Sequence, residues 1–102
     1  MSIGVVIKGG NARRIDLKTG ADKGSVGMSG AVAAASDGDW IVAVYKDGRA
    51  RRYETRNGSD RGSVGMSGVT GCAISSGVIL LNYVSQRARR YDARSGADRG
   101  SV

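Results

Sequence analysis

Between residues 31 and 64 the chain alternates short apolar runs with clusters of turn-forming residues. Ala31-Val32-Ala33-Ala34-Ala35 leads into Ser36-Asp37-Gly38-Asp39. Trp40-Ile41-Val42-Ala43-Val44-Tyr45 follows and stops at Lys46-Asp47-Gly48. A third segment runs from Arg49 to Glu54 and closes at Arg56-Asn57-Gly58, and a fourth, Asp60 to Val64, ends in Gly65-Met66-Ser67-Gly68. Short runs rich in β-branched and aromatic residues, bounded by Asp-Gly and Asn-Gly, predict strands joined by tight hairpins. No stretch sustains a 3.6-residue apolar period long enough for a helix, and the alanine run at 31–35 breaks at a turn. The pattern predicts an all-β chain.

The pattern also repeats. Gly24-Ser25-Val26 returns at Gly62-Ser63-Val64 and at Gly100-Ser101-Val102, a spacing of 38 residues, and Ala-Arg-Arg does the same at 12–14, 50–52 and 88–90. Fourteen of 26 positions match between 39–64 and 77–102. A period of this size marks supersecondary units that cannot bury their apolar surface alone and must stack on neighbours. The pattern Val32 to Gly38, Ile41 to Tyr45, Asp47-Gly48, Arg51-Arg52-Tyr53-Glu54 and Gly58 resembles the four-stranded blade of the β-propeller families, of WD40-like or quinoprotein-like type. In place of the Trp-Asp pair of WD40 proteins stand Tyr53-Glu54 and Tyr91-Asp92, and the chain has no histidine for a Gly-His signature. The resemblance implies β-propeller blades on a 38-residue repeat. Residues 1–26 are a partial blade lacking its inner strand, 27–64 a blade and 65–102 a blade, with eleven strands expected in all. Fewer than three blades per chain fall short of the roughly four that a ring needs. The expected remedy is an incomplete ring closed by homo-oligomerisation, with a trimer ahead of a dimer.

Composition narrows the chemistry. Only 5% of residues are aromatic, so the core must be built from Val, Ile, Ala and Leu, and seventeen glycines with no proline suit a chain of many turns. No apolar run approaches a membrane span and no secretory leader pattern opens the chain, which predicts a cytoplasmic protein without a membrane partner. The single cysteine, Cys72, takes the place of Ala34 in the previous unit and reads as a small buried apolar residue. The net charge of +7 is spread as +3, +1 and +3 over the three units, a basic surface that would multiply in an oligomer and attract polyanions.

Without histidine, Ser-His and Cys-His nucleophiles and histidine metal sites are excluded. Gly20 to Ser25 lacks the order of a phosphate loop, and Asp37-Gly38-Asp39 reads as a turn rather than a calcium site, because Ser75-Ser76-Gly77 replaces it one unit later. Neither a cofactor nor enzymatic activity is expected, since residues recurring every 38 positions are spread apart and do not converge on one place. The recurring charged set is the candidate structural site. A three-residue loop at Arg56-Asn57-Gly58 would put Arg52, Glu54 and Asp60 on one face, as it would Arg14, Asp16, Asp22 and Arg90, Asp92, Asp98. On this reading each arginine bridges two carboxylates in a ladder fastening adjacent blades, while Arg61 over Tyr53 and Arg99 over Tyr91 form cation–π pairs. A ligand site for an anion or acidic sugar is the other reading of that set. Alternate connections of an antiparallel blade share an end, so Lys8, Lys46, Arg49 and Arg87 are expected beside Gly27 to Gly30 and Gly65 to Gly68, as a candidate anion or glycan site. Two functions remain open at this point: a non-enzymatic homo-oligomeric scaffold, or a multivalent lectin-like or polyanion-binding ring.

Overall fold

A computed structural model describes residues 3–102. Among these residues, eleven strands fall into three antiparallel sheets. The first holds β1 (Ile3–Lys8), β2 (Asn11–Asp16) and β3 (Asp22–Ser29). The second holds β4 (Ala31–Ser36), β5 (Trp40–Tyr45), β6 (Ala50–Glu54) and β7 (Asp60–Val64). The third holds β8 (Val69–Ser75), β9 (Val78–Tyr83), β10 (Ala88–Asp92) and β11 (Asp98–Ser101). Within each sheet the strands follow chain order, as hairpins dictate. Met1, assigned with the first unit, lies outside the described residues.

The sheets stack face to face, and the middle one is apolar on both sides because both are covered. Ile41, Ala43 and Tyr45 of β5 pack with Ala12 and Val26 of the first sheet, together with Tyr53 and Ala31. Val42 and Val44, pointing the other way, pack with Ile79, Leu81, Tyr83 and Tyr91 of the third. Ile41 to Val44 are wholly inaccessible, and each such Val or Ile contributes about 1.5–3 kcal/mol by its burial. No helix among the described residues is long and apolar enough to cross a membrane.

Two tyrosines recur in register at each contact. The hydroxyls of Tyr45 and Tyr53 lie 2.6 Å apart, as do those of Tyr83 and Tyr91. Each pair seats against a glycine of the preceding sheet, Gly27 or Gly65, with φ near +70° at both. A Cβ at Gly27 would collide with both hydroxyls of its pair, which is why no larger residue fits this close approach.

One strand departs from the repeat. Position for position β1 should pair like β5, where Ile41 faces Tyr53 and Val42 faces Arg52. Instead Gly4 faces Ile15 and Val5 faces Arg14, one residue out of step. The cause is the turn. Gly9 and Gly10 both take positive φ, 59° and 81°, and form a two-residue loop. The corresponding Asp47-Gly48 has positive φ at Gly48 only, inside a three-residue loop closed by Tyr45 N–H on Arg49 O. A slip of one residue exchanges the faces of the strand, so Val5 rather than Gly4 supports the core, and Val6 is left 41% exposed.

Candidate functional site

The connections sort to the two ends of the stack. At one end the β1–β2, β5–β6 and β9–β10 turns interlock with the links that lead into β4 and β8. Gly30 and Ala31 N–H donate to Gly10 O, Lys46 N–H to Gly30 O, Val69 N–H to Gly48 O and Val84 N–H to Gly68 O. Lys46 lays its aliphatic stem near Gly30. Arg49 lines a shallow recess of about 230 Å³ with Gly65, Met66 and Ser67, and Arg87 lines the matching recess one unit on, about 560 Å³, with Ala88, Ser101 and Val102. Lys8 closes β1 beside the Gly9-Gly10 turn. Lys8, Lys46, Arg49 and Arg87 are all exposed, and none stands within 4 Å of a carboxylate among the described residues.

The recurring charged set is arranged differently from the expected ladder. Arg52 still faces Gly62, but Tyr53 pairs with Asp60. The hairpin loop holds four residues, Thr55 to Gly58, between Glu54 N–H and Ser59 O, and a bulge between Arg52 and Tyr53 absorbs Arg61. The longer loop moves Asp60 by one place, onto the face of Arg51 rather than Arg52, and the bulge takes up that shift so that Gly62 returns opposite Arg52. Arg51 Nε and Nη2 reach Asp60 at 2.9 and 3.1 Å. Arg13 reaches Asp22 at 2.6 Å and Arg89 reaches Asp98 at 2.9 Å in the same way. These ion pairs run within sheets, not between them. The guanidinium of Arg13 and the amide of Gly24 hold the Asp22 carboxyl below its ordinary pKa. Burial opposes the same shift at Asp60, but Arg51 and the Gly62 amide outweigh it. Arg61 and Arg99 turn toward Glu54 and Asp92, at 3.7 and 3.0 Å. The tyrosines they were expected to cover are inside the apolar clusters. Asp16 caps its own turn, accepting from Lys18 N–H.

Arg14 and Arg52 do join sheets, through carbonyls instead of carboxylates. Arg52 is 7% exposed. Its Nη1 donates to the carbonyls of Ala93 and Arg94 in the third sheet's outer turn, at 3.0 and 2.8 Å, and its Nη2 to Arg61 O in its own sheet at 2.5 Å. Arg14 repeats the arrangement one sheet earlier, with Nη1 near the carbonyls of Thr55 and Arg56 and Nη2 on Lys23 O. Burial, followed by the charge of Arg61, lowers the pKa of Arg52 from its ordinary value. The planar fork is suited to this, because two of its nitrogens can address two different chain segments. Asp37 adds a second inter-sheet tie: Oδ1 accepts from Asp39 and Trp40 N–H in its own turn, and Oδ2 accepts from Gly77 N–H at 2.7 Å.

Beside that tie, Trp40, Asp92, Arg94 and Arg99 border an open recess of about 350 Å³ between the second and third sheets. Sequence reasoning missed this recess and the Arg13, Arg51 and Arg89 pairs. The signal for the pairs was present in Asp22-Lys23-Gly24, Asp60-Arg61-Gly62 and Asp98-Arg99-Gly100. In each, the Asp side chain accepts the N–H of a glycine at φ above +100°, the mark of the bulge. No group of three or more acidic or Cys side chains that could hold a metal occurs among the described residues. Cys72 is half-buried, and burial pushes its thiol up to about 11.

No protein-family model matches the chain, and no curated relative does. Solved structures do share its shape. The computationally designed Ika4 protein superposes with a TM-score of 0.77 at 19% identity, over 100% of this chain and 67% of its own. BamB from Moraxella catarrhalis gives 0.74 at 18%, over 99% of this chain and 33% of its own. The computationally designed Ika8 protein gives 0.72 at 16%, over 96% and 35%. The chain thus spans about a third of the length of the latter two. Identities this low establish fold alone. The stacked antiparallel sheets on a 38-residue period are β-propeller blades, an arc of a ring rather than a whole one.

Proposed function

We propose that the chain is a non-enzymatic scaffold whose blades complete their ring with further copies of the same chain. One observation carries the reading. Ala35, Trp40, Val42, Arg52 and Val64 of the second blade are covered by the third. Their counterparts 38 residues on, Ala73, Val78, Leu80, Arg90 and Val102, line an apolar recess of about 370 Å³ on the outer face of the third. A face built to be covered is open to water, and a head-to-tail contact that closes is the economical cover. The charged groups support a structural role over catalysis: the arginines of each blade hold carbonyls or carboxylates of the fold, and the rest are solvated at turns. A trimer of nine blades is the preferred ring, and a dimer of six the other. Light scattering at micromolar concentration tests this, with a mass two or three times 10.5 kDa expected and a folded 10.5 kDa monomer refuting it.

A second reading, polyanion or acidic-glycan binding, rests on Lys8, Lys46, Arg49 and Arg87, which share one end of the stack without carboxylate partners within 4 Å among the described residues. Each added copy would repeat them, so weak sites would gain by avidity. Retention on heparin tests it. Charge reversal at Lys46 and Arg49 is expected to shift elution to lower salt more than reversal at Arg56 and Arg94 on the opposite end, and the reverse ranking would displace the site.

A further inference from the structure

Arg14 and Arg52 each pin the outer turn of the next blade, and the same device recurs at both ends of the chain in an unfinished state. Arg90 is the third member of the series. Its Nη2 donates to Arg99 O at 3.0 Å, just as Arg52 Nη2 donates to Arg61 O and Arg14 Nη2 to Lys23 O. The guanidinium is therefore already held in the clamping orientation. Its Nη1, the atom that crosses to the next blade in the other two, has no acceptor among the described residues, and Arg90 is exposed where Arg52 is buried.

The first blade carries the matching receptor. The turns Leu17–Gly20, Thr55–Gly58 and Ala93–Gly96 are closed by the same hydrogen bonds, Asp16 to Ala21 and Gly20 to Asp16 in the first, with their equivalents in the others. All three end in a glycine with φ between 75° and 78°. In the second and third blades that glycine is the floor of the clamp: a Cβ on Gly58 would sit 3.5 Å from Arg14 Nε, and one on Gly96 3.1 Å from Arg52 Cζ. At Gly20 nothing lies within 4 Å. The carbonyls of Leu17 and Lys18, counterparts of those that Arg14 and Arg52 hold, accept no hydrogen bond from the described residues. Leu17 is 66% exposed, whereas its counterparts Thr55 and Ala93 are 3% and 0%. Among the described residues an unmatched donor and an unmatched receptor thus occur once each, in the third and the first blade.

We infer that Arg90 of one copy clamps the Leu17–Gly20 turn of a second copy, its Nη1 donating to the carbonyls of Leu17 and Lys18 while the apolar outer face of the third blade packs against the first. The inference rests on the self-association proposed above and names the residues that direct it. The contact continues a geometry used twice within the chain, and it is heterologous, with different patches meeting, so it can propagate around a ring. The β1 slip leaves the receptor turn in place, because β2 and β3 keep the register of β6 and β7, and it exchanges the faces of β1 alone.

Sedimentation equilibrium on the full chain, with Arg90→Ala, Arg90→Lys, Leu17→Lys and Arg94→Ala, tests the clamp. Trp40 emission, which reports packing between the second and third blades of a single chain, serves as the folding control. Arg90→Ala is expected to weaken association at least about tenfold with Trp40 emission unchanged. Arg90→Lys keeps the charge but not the fork and is expected to restore only part of that loss. Leu17→Lys, at the opposite end and on an already exposed side chain, is expected to weaken association as well, and Arg94→Ala to leave it unchanged. A wild-type monomer would overturn the self-association reading itself. An assembled wild type whose association survives Arg90→Ala and Leu17→Lys undiminished would leave that reading standing and refute the clamp.

Discussion

Removing the side chain of Arg52 is the sharpest perturbation of the blade stack. Three hydrogen bonds from a charged donor end on Ala93 O, Arg94 O and Arg61 O, and the group is 7% exposed. Such bonds contribute about 1.5–3 kcal/mol each in mutational series, values that already include the desolvation of the donor. Three at the low end give about 4.5 kcal/mol. Water entering the truncated site would re-solvate some of the carbonyls, which brings the expected loss for Arg52→Ala to roughly 3 kcal/mol. Arg56 is the control. Its side chain is 85% exposed and stands 3.9 Å from Glu54, so Arg56→Ala should fall within about 0.5 kcal/mol of wild type. Urea unfolding at one fixed protein concentration, necessary because association stabilises the folded chain, measures both. In a thermal scan the difference corresponds to a Tm lower by more than about 10 °C. Arg52→Lys should recover only a fraction, since an ammonium cannot span both segments. Equal shifts for Arg52→Ala and Arg56→Ala would show that the carbonyl clamp does not hold the blades together.

Three further outcomes follow from the same packing. Gly65→Ala should destabilise by at least about 2 kcal/mol, because it forces a side chain at φ +72° into the Tyr83 hydroxyl and Leu81; Gly77→Ala, at φ +79° with nothing within 4 Å, should lose only about 1 kcal/mol, as denaturant midpoints would reveal. Cys72, raised to about 11 by burial, should react with a thiol reagent at pH 8 many times more slowly in the native protein than in urea, and equal rates would contradict its burial. Stability should be level above the ordinary carboxylate range and decline as pH falls below about 4: the carboxyls of Asp22, Asp60, Asp92 and Asp98 are held low in the folded chain, so acid protonates the unfolded state first. Asp60→Asn should make that decline shallower, measured as urea midpoint against pH.

The strands were legible because their causes are local. Trp40 to Tyr45 and Asp60 to Val64 begin and end where the turn residues place them, since Asp-Gly and Asn-Gly dictate backbone sign within two or three residues. The 38-residue period likewise stood in the letters of the chain, and with it the stacking of like units. The charged set shows where such reading stops. Alternation along one strand correctly separates Arg51 from Arg52, but which arginine meets Asp60 depends on the partner strand, and there a four-residue loop and a bulge at Arg61 intervene. A miscount of one residue in a hairpin exchanges faces, and so an expected inter-blade ladder became ion pairs within blades.

What the linear pattern holds, then, is everything governed by neighbours along the chain: the all-β class, the turns, the period and the two-sided apolar strand of the middle blade. Pairing partners across strands and across blades obey a different rule, because they depend on register, and register is chosen by the packing of the whole stack. Arg52 could find the carbonyls of Ala93 and Arg94 only after the third blade was in place, 41 and 42 residues away. The β1 slip carries the same lesson in reverse. Two glycines allow a tighter turn, and a strand that aligns with its repeat without a gap is displaced from it by one residue in register.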